Sequence, residues 1–368
     1  MRDRKYLLTI SIMTSNRKDT LPKTLESIRP LLDNVSSELI ITDTGCDEDL
    51  LEFIRRYTDK IVKFEWCKDF AKARNVGLKL AQGKWFMYLD DDEWFEDVNP
   101  IIDFFNSGES EKYNQFYYIQ RNYRNKSGTL WQDAYVDRGM RLSEGIQFED
   151  VIHENYSCSF KPVKMINAYV HHYGYVFETK EAQLAHSRRN LELLERMWKE
   201  GNHTPRHYIH LLQEYNMLEQ HETAYKVALL GIEKANQNGI SSRRLLGCIK
   251  ANAIYSLYHL GRYDEMIKSG REYLREGNLT LAAGCAINGY LVQALYRLGD
   301  MRGVLMAAEE YYGLSKYLQD REEQTKYDSL LEVGNALSGI VADNIRHIVN
   351  ECIRAIEKNV EQKGDSNE

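Results

Sequence analysis

The apolar positions of the first hundred residues repeat with two different periods. Short apolar runs typical of buried strands take turns with longer segments whose apolar residues have helical spacing. The strand-like runs are 7–13, 39–41, 61–64 and 85–89, and the helical segments between them are 21–31, 50–57 and 70–81. This βαβαβαβ order predicts an α/β fold with a mostly parallel, doubly wound sheet.

The pattern changes after this region. Shorter, tyrosine-rich runs at 115–123, 131–137 and 168–173 alternate partly and predict a mixed half of the same sheet. From about residue 180 onwards the spacing is helical, with a buried stripe along 181–198. The tyrosines of the middle region fit core and sheet positions better than a sugar-binding platform.

Internal repeats mark the helical region. A Leu-Gly pair ends a tyrosine-rich helical segment at Gly261 and again at Gly299, 38 residues later, and Glu219 occupies the glycine position of a weaker copy. A period of about 34–40 residues is typical of tetratricopeptide-like repeats. A generic helical bundle is the alternative. We therefore predict an α/β domain at 1–180, an all-α repeat domain at 181–362 and a disordered tail at 363–368.

Composition narrows the class of protein. The chain has 368 residues and a formal net charge of −7, which argues against a nucleic-acid-binding surface. Six scattered cysteines show no metal or disulfide spacing, so reduced thiols in a cytoplasmic protein are expected. The charged N-terminus lacks the pattern of a signal peptide, and no apolar window is long enough for a membrane span.

Four carboxylates follow the last parallel strand of the first half: Asp90, Asp91, Asp92 and Glu93. Open α/β sheets bind ligands at the carboxyl ends of their strands. Adjacent carboxylates repel one another, and burial strengthens that repulsion. A hard divalent cation, completed by substrate phosphates, would neutralise them. A solvated acidic turn before a helix is the simpler alternative.

Other polar residues lie at neighbouring strand ends, and the sheet would bring them to the same edge. They are Thr14, Asn16 and Arg17 after the first strand, Asp43 after the second, and Asp69 and Arg74 after the third. Asp43 and Asp69 offer acceptors for a sugar or base, and Arg74 offers a cation for phosphate. The set suits a nucleoside diphosphate with an attached group. The glycine patterns of dinucleotide sites and P-loops do not occur.

Four motifs in order carry a resemblance to a known family. They are Asp-Phe-Ala-Lys-Ala-Arg-Asn at 69–75, Leu-Asp-Asp-Asp-Glu at 89–93, Ile-His-Glu at 152–154 and His-Tyr-Gly-Tyr at 172–175. With the helical region behind them, they resemble family 2 glycosyltransferases of the GT-A fold. Within the family the chain is most similar to glycocin peptide S- or O-glycosyltransferases and lipopolysaccharide-core transferases. Ser15 departs from an aromatic or lysine residue common there.

The resemblance implies roles for individual residues. Asp43 and Asp69 would contact uridine, with Thr14, Asn16, Arg17 and Asp91 in the same donor-binding loops. Arg74 would lie near the diphosphate. Asp90 and Asp92 would form the metal-binding pair, with Asp92 the direct ligand and His172 a further one. Glu154 would be the general base. A surface carboxylate, a helix-surface cation and a packed histidine are the structural alternatives for Glu154, Arg74 and His172.

Together these implications describe a metal-dependent, inverting glycosyltransferase that uses Mn²⁺ or Mg²⁺ and a UDP-sugar donor. The acceptor is expected to be a peptide or protein side chain, or alternatively lipopolysaccharide or another cell-surface glycan. The helical repeats would dock the acceptor or form a homodimer. Two rival classes are a nucleotidyltransferase and a degenerate, non-catalytic scaffold.

Overall fold

The protein is described here by a computed structural model that covers residues 4–157, 160–237, 243–277, 279–319 and 339–364. The chain divides into two compact units, Met1–Ala182 and Gln183–Glu368. This division lies two residues beyond the boundary predicted at 180.

The first unit contains ten strands in the described residues. They are β1 (Tyr6–Thr14), β2 (Ser37–Asp43), β3 (Ile61–Lys63), β4 (Gly83–Asp90), β5 (Glu93–Phe95), β6 (Gln115–Tyr123), β7 (Trp131–Arg141), β8 (Phe148–Glu149), β9 (Asn155–Tyr156) and β10 (Val163–His172). Its helices are α1 (Leu21–Asn34), α2 (Glu48–Ile54), α3 (Phe70–Leu80) and α4 (Asn99–Asn106), with a 3₁₀ turn at Glu109–Lys112. The predicted alternation of strands and helices is present.

Eight of these strands form one mixed sheet in the order β3-β2-β1-β4-β7-β6-β10-β5. The first four are parallel, and β7 pairs antiparallel with both β4 and β6. In the register of the parallel strands, Thr14 lies beside Asp43 and Met13 beside Asp90. The polar strand ends therefore meet along one edge of the sheet.

Both faces of β4 are buried, which explains its uninterrupted apolar run. Trp85, Met87 and Leu89 belong to the core that includes α1 and α4, whereas Phe86 and Tyr88 pack in a second core with α3. The sheet thus lies between two helical layers.

Helix α3 approaches the sheet unusually closely at Gly77. A Cβ at this position would lie 2.2 Å from Ser11 Oγ on β1. Glycine therefore lets α3 pack directly on the strands that carry the polar edge.

The second unit is helical throughout the described residues. Its helices are α5 (Lys180–Lys199, which begins in the first unit), α6 (Pro205–Met217), α7 (His221–Gln237), α8 (Arg243–His259), α9 (Tyr263–Glu276), α10 (Leu281–Arg297), α11 (Met301–Gln319) and α12 (Gly339–Gly364). Residues 365–368 of the predicted tail lie outside the described residues.

Three helix pairs share one type of turn. At Gly261 and Gly299 the chain takes a positive φ, and the next residue's N–H bonds back to the carbonyl five residues earlier. Glu219 forms the same pair of hydrogen bonds at a φ of 59°. These are Schellman turns, which favour glycine at the left-handed position. The weak third copy in the sequence is therefore structurally equivalent to the other two.

Replacing Glu219 with glycine should raise the melting temperature of the protein. A non-glycine residue in the left-handed region destabilises the folded state by about 1–2 kcal/mol. Glycine removes this strain, but its greater freedom in the unfolded chain offsets about half of the gain. Gly261→Ala is the matched control. No atom lies within 4 Å of its Cβ position, so it should lose stability through backbone strain alone. A lower melting temperature for Glu219→Gly would contradict this account.

Candidate active site

The acidic cluster lies at the carboxyl end of β4, where Asp90 ends the strand and Glu93 begins β5. Glu93 is fully buried, and the side chains of Asp91 and Asp92 are each 14% exposed. Burying so many carboxylates requires positive charges close by.

Two buried arginines supply much of that charge. Arg74 Nη2 lies 2.5 Å from Asp90 Oδ1, and Arg138 Nη2 lies 2.8 Å from Asp90 Oδ2 and 2.5 Å from Glu93 Oε1. Burial raises the pKa of Asp90, but Arg138 and Arg74 outweigh it and hold that pKa well below its usual range. Both guanidinium groups also lie over the Tyr88 ring, at 4.5 Å and 4.7 Å.

These contacts add to one expectation from the sequence, and the assignment of Asp90 to the metal-binding pair stays a prediction. A divalent cation was expected to neutralise the whole cluster, yet Asp90 and Glu93 are neutralised by arginines from α3 and β7. Both carboxylate oxygens of Asp90 already accept hydrogen bonds. Neither arginine pairs with Asp91 or Asp92 among the described residues, and these two are called the outer carboxylates below.

A β-bulge aims Arg138 at this site. The pairing of β6 with β7 shifts between Phe116–Gly139 and Tyr117–Asp137, which leaves Arg138 as the extra residue. Bulges of this kind interrupt the alternation of side chains and redirect one of them. The sequence reasoning missed Arg138 because only the three-dimensional pairing identifies the bulge.

His172 and Asp92 face each other across a small gap. His172 Nε2 lies 3.8 Å from Asp92 Oδ1, and His172 Nδ1 lies 2.7 Å from Asn122 Oδ1. Asn122 donates its own amide N–H to the Gln120 carbonyl, so its oxygen accepts from Nδ1. In the neutral form of the imidazole this assignment places the lone pair on Nε2, the atom that lies 3.8 Å from Asp92 Oδ1. A Cβ at Gly174 would lie 2.4 Å from Nε2, so glycine keeps the chain close to the imidazole.

This donor set suits a hard cation that shares its coordination with a substrate. An outward imidazole lone pair held by a second residue is the usual arrangement of a metal-binding histidine. Among the described residues, no three histidine, cysteine or acidic side chains converge on one metal-sized point. Mg²⁺ and Mn²⁺ sites of nucleotide enzymes use one or two protein ligands with substrate phosphates. Asp92 and His172 fit that pattern.

Asp91 connects the cluster to the end of β1. Its Oδ2 accepts hydrogen bonds from Thr14 Oγ1 at 2.8 Å and from the Ser15 N–H at 3.4 Å. The exposed Arg17 lies 3.9 Å from both Asp91 and Asp92. Burial, followed by repulsion from Asp92, raises the pKa of Asp91 to about 6. The exposed Arg17 therefore compensates the negative charge of the outer pair only in part.

Glu154 forms an ion pair with Arg74, through the Nε atom of that arginine. Two contacts with α3 anchor the loop between β8 and β9 that carries Glu154. The Asn75 side chain bonds both backbone groups of Phe148, at 2.9 Å and 2.8 Å, and Phe70 N–H donates to the Val151 carbonyl at 2.9 Å. One helix thus holds both Arg74 and the loop of the candidate base.

Three other predicted residues have local structural partners. Asp43 Oδ1 accepts the N–H groups of Gly45 and Cys46, and these bonds lower its pKa although burial opposes them. Asp69 caps α3 by accepting the Lys72 N–H. Asn16 bonds Asp47 at the start of α2. No contact in the described residues joins these three to the acidic cluster, so their roles with a nucleotide stay predictions.

Neighbouring aromatic residues belong to the sheet. Tyr118 is fully buried and donates to Glu93 at 3.2 Å. His171 points away from His172, and its Nδ1 lies 2.7 Å from the Tyr123 hydroxyl. Tyr118 and Tyr123 therefore occupy core positions, as predicted.

Comparison with known proteins agrees with this architecture. Residues 9–164 match Glycosyl transferase family 2, so this part of the chain is a family 2 glycosyltransferase domain. The predicted fold class and family are confirmed, and the match favours a glycosyltransferase over a nucleotidyltransferase.

Individual relatives match over shorter stretches. The chain is 32% identical over 125 residues to UDP-Glc:alpha-D-GlcNAc-diphosphoundecaprenol beta-1,3-glucosyltransferase WfaP of Escherichia coli, which is 32% of this chain and 48% of that protein. It is 29% identical to TPR repeat-containing protein Synpcc7942_0270 of Synechococcus elongatus, over 23% of this chain and 20% of that protein. The chain therefore spans about half the length of the first relative and a fifth of the length of the second.

A solved structure, S. aureus TarS, aligns with 83% of this chain and 55% of its own at 12% identity and a TM-score of 0.37. In the part of the chain that the structure describes, no helix has the length and apolar character needed to cross a membrane.

The raised pKa of Asp91 predicts a pH effect on stability. Because the folded protein holds this proton more tightly than the unfolded chain, stability should fall as pH rises from about 4 to about 6. Asp91→Asn stays neutral and keeps an acceptor for Thr14. In EDTA it should exceed the wild type by about 1–3 kcal/mol at pH 7 and match it near pH 4. Denaturant titrations at both pH values measure this, and equal stability at pH 7 would disprove it.

Proposed function

We propose that the protein transfers a sugar from a UDP-sugar to a hydroxyl-bearing acceptor, with inversion at the anomeric carbon. The WfaP relative is named for a UDP-glucose donor, which makes UDP-glucose the first donor to test. Its named acceptor is a lipid-linked sugar, whereas the motif resemblance favours a peptide. Parallel assays with a lipid-linked sugar and with serine or threonine peptides distinguish the two acceptor classes.

One observation carries the proposal. Arg74 pairs with both the candidate base Glu154 and Asp90, and Asp90 lies two residues before Asp92, which faces His172. Glycosyl transfer needs both functions close together, since charge develops on the leaving diphosphate while the acceptor loses a proton.

The proposed reaction is a single displacement. The acceptor oxygen forms a bond to the anomeric carbon as the bond from that carbon to the β-phosphate oxygen breaks. The electron pair of the broken bond leaves with UDP, and Glu154 takes the proton of the acceptor hydroxyl. A divalent ion held by Asp92 and His172 would supply Lewis-acid stabilisation of the charge on the diphosphate.

Asp92→Asn should weaken Mn²⁺-dependent binding of UDP about tenfold or more, because it removes a charged ligand from a site with few protein ligands. Calorimetric titration of UDP with Mn²⁺ and with EDTA measures the effect. Asp91→Asn, which keeps its hydrogen-bond acceptor, should have a smaller effect. Equal affinity for UDP in Asp92→Asn and wild type would remove Asp92 from the metal site.

Glu154→Gln should lower kcat by about 10²–10⁴ on a hydroxyl acceptor, since the amide cannot take a proton. Glu149→Gln is the matched control: it removes the same charge from the same region, and Glu149 forms its hydrogen bond with Gln147. That variant should keep a kcat close to wild type. Equal kcat values for both variants would show that Glu154 is not the base.

A further inference from the structure

Arg74 contacts two carboxylates, Asp90 and Glu154, that differ in their other ion-pair partners. Asp90 is also bound by Arg138, whose position is fixed in turn by buried Glu93. Among the described residues, Glu154 forms its ion pairs with Arg74 alone. The charges alternate along a chain of five side chains: Glu93, Arg138, Asp90, Arg74 and Glu154. One end of this chain lies in the core, and the other end is the candidate base.

The contact between Arg74 and Glu154 conflicts with base catalysis. Glu154 Oε1 accepts a hydrogen bond from Arg74 Nε, so Arg74 and an acceptor hydroxyl would compete for the same carboxylate. Glu154 therefore has to lose this contact, at least in part, before it can take a proton from an acceptor. In this structure the contact with Arg74 holds Glu154 in that less available arrangement.

A nucleoside diphosphate offers Arg74 a competing partner. Diphosphate oxygens carry more negative charge than one carboxylate and match the forked geometry of arginine. Loss of the contact with Glu154 leaves Asp90 paired, because Arg138 continues to bind it. The core end of the chain thus stays neutralised while its outer end changes partner.

We propose that Arg74 exchanges Glu154 for the diphosphate of the donor, and that this exchange releases Glu154 to act as the base. The inference rests on the proposed function. It makes the base available only after the donor binds, so the donor precedes the acceptor. It also makes Glu154 a competitor of the donor in the resting enzyme.

Binding of UDP and of uridine to the full-length protein tests the exchange. Glu154→Gln removes the competitor, so UDP should bind about ten- to a hundred-fold more tightly than in wild type, the range of one charge-assisted hydrogen bond. Uridine lacks the diphosphate, and its affinity should be unchanged. The control Glu149→Gln should leave both affinities unchanged, because Glu149 does not contact Arg74. Unchanged or weaker UDP binding in Glu154→Gln would overturn the exchange.

A double-mutant cycle separates the exchange from a general charge effect. In an Arg74→Gln background, Glu154→Gln should no longer tighten UDP binding. Tighter UDP binding that persists in this background would overturn the exchange. Tighter UDP binding in Glu149→Gln would overturn it as well, and that measurement does not need a stable Arg74 variant. Wild-type protein that binds no UDP with or without Mn²⁺ would instead overturn the proposed donor class, and the exchange with it.

Discussion

The structure of the first unit depends on neutralising the acidic end of β4. Glu93 is fully buried as a charged group and Asp90 is 29% exposed, and electrostatic interactions are stronger where water is excluded. Arg74 and Arg138 supply the positive charge, and both guanidinium groups lie over the Tyr88 ring. Removing one partner of a buried ion pair typically costs about 3–5 kcal/mol, so α3, β4 and β7 are held together by charge as well as by apolar packing.

This constraint divides four consecutive acidic residues between two tasks. The inner pair, Asp90 and Glu93, is satisfied by protein cations and belongs to the framework. Within the described residues, the ion-pair partners of the outer pair, Asp91 and Asp92, are the exposed Arg17 and the His172 imidazole. Because the arginines neutralise the inner pair, the negative charge of the outer pair can attract a cationic ligand. Residues with the two tasks are direct neighbours in the sequence, Asp90 beside Asp91 and Asp92 beside Glu93.

Much of the fold could be predicted because local patterns agree with the tertiary structure. The apolar run at 85–89 lies in strand β4, and the helical spacing at 70–81 corresponds to helix α3. The two Leu-Gly pairs in the sequence form turns at Gly261 and Gly299. The polar strand ends could be placed on one edge for the same reason. Arg138 could not, because its burial depends on a bulge opposite β6 that no residue pattern encodes. The sharing of Arg74 between two carboxylates was hidden too, since Glu154 is 80 residues away in sequence.

The bulge at Arg138 also divides the β6–β7 hairpin into two parts. The loop at 125–129 can change in length, whereas the segment of β7 from Trp131 to Arg138 cannot. The hydrogen bond from the Arg124 N–H to the Leu130 carbonyl is the last one between the two strands before the connecting loop. Residues added within 125–129 would therefore only lengthen that loop. One residue inserted or deleted between Trp131 and Arg138 would turn each following side chain of β7 to the opposite face. The guanidinium would then leave Tyr88. The hairpin end can therefore vary in length, whereas the place of Arg138 in the candidate active site requires a fixed number of residues along β7.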